Sequence, residues 1–155
     1  MTVLKIGVMG AGIGGLTVAN ALHQQGHTVH VYEQAREFFR IGADINLTPN
    51  AVLALDGLGE RIAEPIRASA ARPTHRISRM WDTGKETSRL PMSDEAERKY
   101  GSPQLTIHRA DLLSTLSDAF PADRVHFAKR AERVEQDDQG VTVHFADGSS
   151  ERFDA

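Results

Sequence analysis

The chain opens on an apolar run, Val3–Met9, broken only by Lys5, which predicts a buried strand. Gly10-Ala11-Gly12-Ile13-Gly14-Gly15 follows at once. Leu16, Ala19 and Leu22 then recur at helical spacing, and Gly26 stops the helix. His27–Glu33 alternates as a second strand and ends on a carboxylate. This is a βαβ opening.

Further along, Thr48-Pro49 predicts a helix start, with Thr48 as the cap and Pro49 at the first helical position. Its expected apolar face is Ala51, Leu53, Ala54, Leu55 and Leu58, with Gly57 and Gly59 ending it and a short helix over 60–66 after it. Residues 72–81 have a strand-like mixture anchored by Ile77, Met80 and Trp81. A turn at 82–85 and a returning strand over 86–90 follow. Ser93 is expected to cap a charged helix reaching Tyr100. A strand over 103–108 leads into a helix opening at Arg109 or Ala110, with Leu112, Leu113 and Leu116 inward and Pro121 closing it. After a short strand at 125–127, the pattern predicts an antiparallel meander over 130–136, 141–146 and 150–153. Val141, Val143 and Phe145 share one face of it, and Asp147-Gly148 is its hairpin turn.

The glycine run gives the opening its chemistry. Gly10 suits a tight strand-to-helix turn, Gly12 lets a pyrophosphate approach the backbone, and Gly15 lets the helix pack close to the strand. The first helical turn, from Ile13 and Gly14 onward, presents free N–H groups and a positive dipole end to the phosphates. Glu33, 23 residues past Gly10, is placed to accept hydrogen bonds from ribose hydroxyls and to repel a 2′-phosphate. A secretory signal is the competing reading of the same run, and the glycines and the second strand argue against it.

At 155 residues the chain has the size of about one domain. A 40% hydrophobic and 25% charged composition is ordinary for a globular protein. The net charge of −3, with no basic block, makes nucleic acid and anionic membranes poor partners. There is no cysteine, which excludes disulfides, thiolate metal sites and a cysteine nucleophile, and fits a reducing cytoplasm. His23 and His27 have helical metal-site spacing, but Gly26 interrupts the helix and no third ligand is near, so no metal is expected. His30, His126 and His144 fall in strand patterns and read as structural.

Three stretches together resemble the single-component flavin-dependent aromatic hydroxylases of the para-hydroxybenzoate and salicylate hydroxylase type, especially members that act on 6-hydroxynicotinate. They are the βαβ unit ending in Glu33, the run from Arg40 to Ala51 (RIGADINLTPNA), and Thr106–Leu113 (TIHRADLL). The tail VHFADGS is similar as well. The resemblance implies an α/β fold: a Rossmann-like FAD-binding βαβ sheet with an antiparallel meander, cut short, with residues about 72–92 contributing to a substrate-binding layer. It implies FAD as cofactor, NADH or NADPH as transient reductant, oxygen as oxidant and a small aromatic ring as substrate.

By the same resemblance, Gly10, Gly12, Ile13, Gly14 and Gly15 would hold the FAD pyrophosphate and Glu33 the adenosine ribose. Arg40 would lie toward the flavin, Arg109 would reach the cofactor from its helix start, and the main chain at Ala131 would border the adenine. From the residues alone, Arg109 reads as a surface arginine near Asp111, and the resemblance turns it toward a cofactor contact; Arg40 stays open. Asn46 stands where nicotinate-hydroxylating members resemble one another in having a histidine, and it reads as a turn residue before Thr48-Pro49. Family members continue past a segment like Phe153-Asp154-Ala155 into a strand that pairs beside the first one. Without that strand, an open edge at Val3–Met9 is expected, and with it either weak stability of the chain alone or self-association through that edge.

Overall fold

The structure is a computed structural model and describes residues 2–38 and 42–155. In chain order the elements are β1 (Lys5–Met9), α1 (Ile13–Gln24), β2 (Thr28–Tyr32), β3 (Asp44–Leu47), α2 (Pro49–Asp56), α3 (Glu60–Ser69), β4 (His75–Arg79), β5 (Glu86–Pro91), α4 (Ser93–Tyr100), β6 (Leu105–His108), α5 (Arg109–Asp118), β7 (Val125–His126), β8 (Ala131–Asp137), β9 (Gly140–Phe145) and β10 (Ser150–Phe153). They form two compact units, Met1–Arg40 with Leu113–Ala155, and Ile41–Leu112.

The first unit is built on a parallel sheet in the order β1-β2-β7. Ile6 lies opposite Val29, Val8 opposite Val31 and Tyr32 opposite His126. The α1 helix packs against β1 and β2 through Leu16 and Ala19, both fully buried. Asn20, also buried, donates from its side-chain amide to the Leu16 and Leu116 carbonyls, so its burial leaves no unpaired N–H. Strand alternation turns Val29 and Val31 to one face and His30 and Tyr32 to the other. Tyr32 meets the antiparallel meander β10-β9-β8, stacking on Phe145 at 4.9 Å and meeting Phe153 edge-on at 5.6 Å. Val143, Phe145 and Phe153 close this second core, as period two predicts for the first two.

The edge of β1 expected to be open is corrected at two positions. Asp154 N–H donates to the Lys5 carbonyl, and Gly7 N–H donates to the Ala155 carbonyl. The chain leaving β10 turns back along β1, so its edge has main-chain partners there.

In the second unit β3 and β6 pair antiparallel, Asn46 opposite Thr106. Asn46 therefore belongs to a strand and is no turn residue; its side-chain oxygen accepts a hydrogen bond from Thr106 Oγ1 at 2.8 Å. The buried face of α2 is Val52 and Leu55, continued by Leu58, while Leu53 is 48% exposed. Leu55 and Leu58 are buried as expected, but Val52 completes the face at i, i+3 with Leu55, and Leu53 and Ala54 face outward. Thr48 stands at the cap position without a side-chain capping bond; its hydroxyl meets Asn50 Oδ1 instead. Ser93 is likewise no cap: it is buried, and its hydroxyl donates to the Gln104 carbonyl. The α3 helix runs on to Ser69 with Pro65 inside it, burying Ile62 and Ile66. Ile77, Met80 and Trp81, expected as anchors, are exposed, Trp81 at 94%. Among the described residues, β4 and β5 pair only with each other, so no third strand covers them.

Where β2 meets β7, His30 Nδ1 lies 3.0 Å from His126 Nε2, and the His126 ring stacks between His30 and Tyr32 at 5.3 and 4.8 Å. In this contact one ring donates and the other accepts. Burial first, then His126, Lys5 and Arg124, depress the His30 pKa, against a smaller opposing pull from Glu151. The folded state thus holds fewer protons than the unfolded chain below the ordinary histidine value of about 6.5, and stability falls as pH drops through that value. Thermal unfolding between pH 7.5 and 5.5 should show a falling Tm for the wild-type chain and a flatter profile for His30→Phe.

Candidate nucleotide site

The site is built at the carboxyl ends of β1 and β2. Gly10 takes φ +104°, a conformation reserved for glycine, and its N–H donates to the Tyr32 carbonyl at 2.7 Å. The turn then enters α1, whose first intrahelical bond runs from Leu16 N–H to the Gly12 carbonyl. The amides of Ile13, Gly14 and Gly15 precede that bond and have no partner within the helix. A Cβ at Gly15 would stand 1.9 Å from the Gly10 carbonyl oxygen, so only glycine allows helix and turn to approach this closely. A Cβ at Gly12 would meet nothing within 4 Å, and the space over this amide is open.

Glu33 faces this turn. Its Oε2 accepts from Ala11 N–H at 2.9 Å and its Oε1 from Ala35 N–H at 2.8 Å. A carboxylate offers about four acceptor positions, so roughly two stay available for hydroxyl donors. The side chain is held by backbone on both oxygens, which fixes its direction before any ligand arrives.

A cavity of about 250 Å³ lies beside Glu33. Met9, Gly10 and Glu33 line it together with Lys129, Arg130 and Ala131. Its volume is below the roughly 300–1,000 Å³ of pockets that enclose a whole drug-sized ligand, and suits one end of an elongated one. Tyr32 also borders it, and burial, then Glu151, pushes its phenol up to about 12, so it stays protonated at neutral pH.

The structure thus brings together Gly10, Gly12, Ile13, Gly14, Gly15, Glu33 and Ala131 within one unit. Arg109 belongs to the other unit, where its N–H donates to the Ala43 carbonyl at 3.2 Å and its side-chain stem lies against Gly42. Arg40 lies outside the described residues. Sequence reasoning missed Lys129 and Arg130. Their segment carries no glycine, yet Ala128 takes φ +55°, a turn with no residue-type signal.

Glycine turn, helix amides and fixed acid define a dinucleotide-binding protein of the Rossmann type. The chain belongs to the FAD-binding domain family, whose profile, described as FAD binding domain, matches residues 3–154. It is similar to the 6-hydroxynicotinate 3-monooxygenase of Bordetella bronchiseptica, 40% identical over 147 residues, covering 95% of this chain and 38% of that protein. It also resembles the FAD-dependent urate hydroxylase of Klebsiella pneumoniae, 38% identical over 152 residues, covering 95% and 38%. Among solved structures, Klebsiella pneumoniae HpxO complexed with FAD and uric acid superposes with a TM-score of 0.89 at 34% identity, covering 97% of this chain and 37% of that one. The chain therefore spans about 38% of the length of the curated relatives it matches. No helix among the described residues is long and apolar enough to cross a membrane.

The 1.9 Å approach at Gly15 makes a direct prediction. Gly15→Ala should destabilise the chain by about 1–3 kcal/mol through overpacking against backbone. A lowered Tm or denaturation midpoint in the ligand-free protein checks it.

Proposed function

We propose that this chain is the FAD-binding part of a flavin-dependent monooxygenase that hydroxylates a small aromatic ring, with NADH or NADPH as reductant. The observation that carries the reading is the open turn at Gly12 with the Glu33 carboxylate fixed against Ala11 beside it. The amides of Gly12–Gly15 hold the pyrophosphate, and the α1 dipole favours its charge. Glu33 takes the adenosine ribose on its remaining lone pairs. The cavity takes the adenine, with the Ala131 main chain along its edge. When bound, the flavin supplies the redox and oxygen chemistry; the chain orients it and shields it from water.

Arg109 and Arg40 are proposed as further cofactor contacts, and residues 72–92 to join the substrate layer. The exposed Ile77, Met80 and Trp81 support the latter, because an apolar hairpin of two strands gains stability from a further layer. Glu33 disfavours a 2′-phosphate, so NADPH is a poor occupant of this site. Self-association through β1 would have to displace Asp154 and Ala155, and we propose that this edge is not used. A cytoplasmic location goes with this reading, since a thiol-free chain suits a reducing compartment.

Gly12→Ala tests the site without disturbing the fold, because Gly12 has φ −77° and an added methyl meets only open space. ADP and FAD binding by calorimetry should weaken at least about tenfold, with Tm unchanged. Undiminished binding, or selective binding of NAD over FAD, would contradict the proposal. For hydroxylation, the enzyme that contains this chain should consume NAD(P)H faster when a hydroxylated aromatic acid or hydroxypyridine is added.

A further inference from the structure

Three residues that line the cavity with Glu33, Lys129 to Ala131, follow Ala128 in a short connection that makes no sheet pairs until Ala131. Ala128 sits at φ +55°, where a residue with a Cβ is uncommon, so its neighbours must hold the turn in place. On the β2 side the ties are main-chain ones: Ala128 N–H to the Ala35 carbonyl and Lys129 N–H to the Glu33 carbonyl, both 2.8 Å. On the other side Ala146 N–H donates to the Arg130 carbonyl at 2.9 Å. The remaining tie runs through a side chain. Lys129 Nζ reaches Asp147 Oδ2 at 2.5 Å and Ser149 Oγ at 2.9 Å, above the Phe145 ring at 5.4 Å.

Asp147 is itself fixed in the β9–β10 turn. Its Oδ1 accepts from Ser149 N–H at 3.0 Å and from Ser149 Oγ at 2.6 Å. The hairpin thus presents an anchored carboxylate to a lysine that lines the cavity. The Lys129 side chain is 29% exposed and Asp147 43%, so the pair by itself adds little to global stability. It acts instead on a local coordinate, the position of three residues that line the cavity.

We propose that Lys129 and Asp147 are positioning residues for the adenosine end of the cofactor. Their ion pair ties the main chain of 129–131 to the hairpin tip and sets the gap between Ala131 and Glu33. This rests on the reading of that cavity as the adenosine site. Asp147→Asn is the most selective probe: the amide keeps an oxygen for Ser149 but places N–H against the lysine ammonium.

ADP and FAD binding would be measured for the wild-type chain, Asp147→Asn, Lys129→Met, Lys129→Arg and the exchanged pair Lys129→Asp with Asp147→Lys, alongside the Tm of each ligand-free protein. Asp147→Asn and Lys129→Met should each weaken ADP roughly tenfold, while Lys129→Arg and the exchanged pair recover most of it. Ligand-free Tm should move by less than about 4 °C. Wild-type affinity in Asp147→Asn overturns the inference, as does weakening confined to Lys129→Met, which would make the lysine a direct phosphate contact. Affinity losses that only follow losses of Tm overturn it too. A wild-type chain that binds neither ligand overturns the site reading itself, and the inference with it.

Discussion

The close approach of Gly15 to the Gly10 carbonyl is the constraint on which the rest depends. No side chain fits between them, so α1 starts directly on the end of β1. That fixes where the free amides of the first turn point, and it leaves the space above Gly12 open. It also brings Ala11 N–H within reach of Glu33, so the acid on one strand is aligned by the turn after the other. Sheet, turn, helix and acid form one geometric object.

The two faces of the parallel sheet divide the work. One face, with Val29 and Val31, is buried on the α1 side and makes the unit stable. The other carries His30 and Tyr32 and receives the meander. The meander completes a core around Tyr32, and its entry segment lines the cavity. Burial of Tyr32 and placement of Ala131 are thus consequences of the same packing. Tyr32 belongs both to the stack with His126 and to the cavity lining.

Most of this was legible in the residues, for physical reasons. Glycine is informative at 10, where φ is positive, and at 15, where a Cβ is excluded, and Glu33 because a strand ends there. The meander face of Val141, Val143 and Phe145 follows from period two. Less legible was whatever depended on choices among equivalent local solutions. Val52 completes as good a helical face with Leu55 and Leu58 as Leu53 and Ala54 would, and tertiary packing selected it. Ser93 and Thr48 are good caps in isolation, but hydroxyls take whichever acceptor the fold offers, here Gln104 and Asn50. Lys129 and Asp147 are 18 residues apart, and no pattern within a strand or helix links them. The left-handed turn at Ala128 was hidden because the residue there is not glycine.

The most direct test follows backbone amide resonances of the chain while ADP is added. The account predicts shifts concentrated in Gly10–Gly15, at Glu33 and Ala35, and along residues 129–131, with α1 beyond its first turn little changed. Shifts centred elsewhere on the chain, or none at ADP concentrations that saturate related dinucleotide sites, would contradict it.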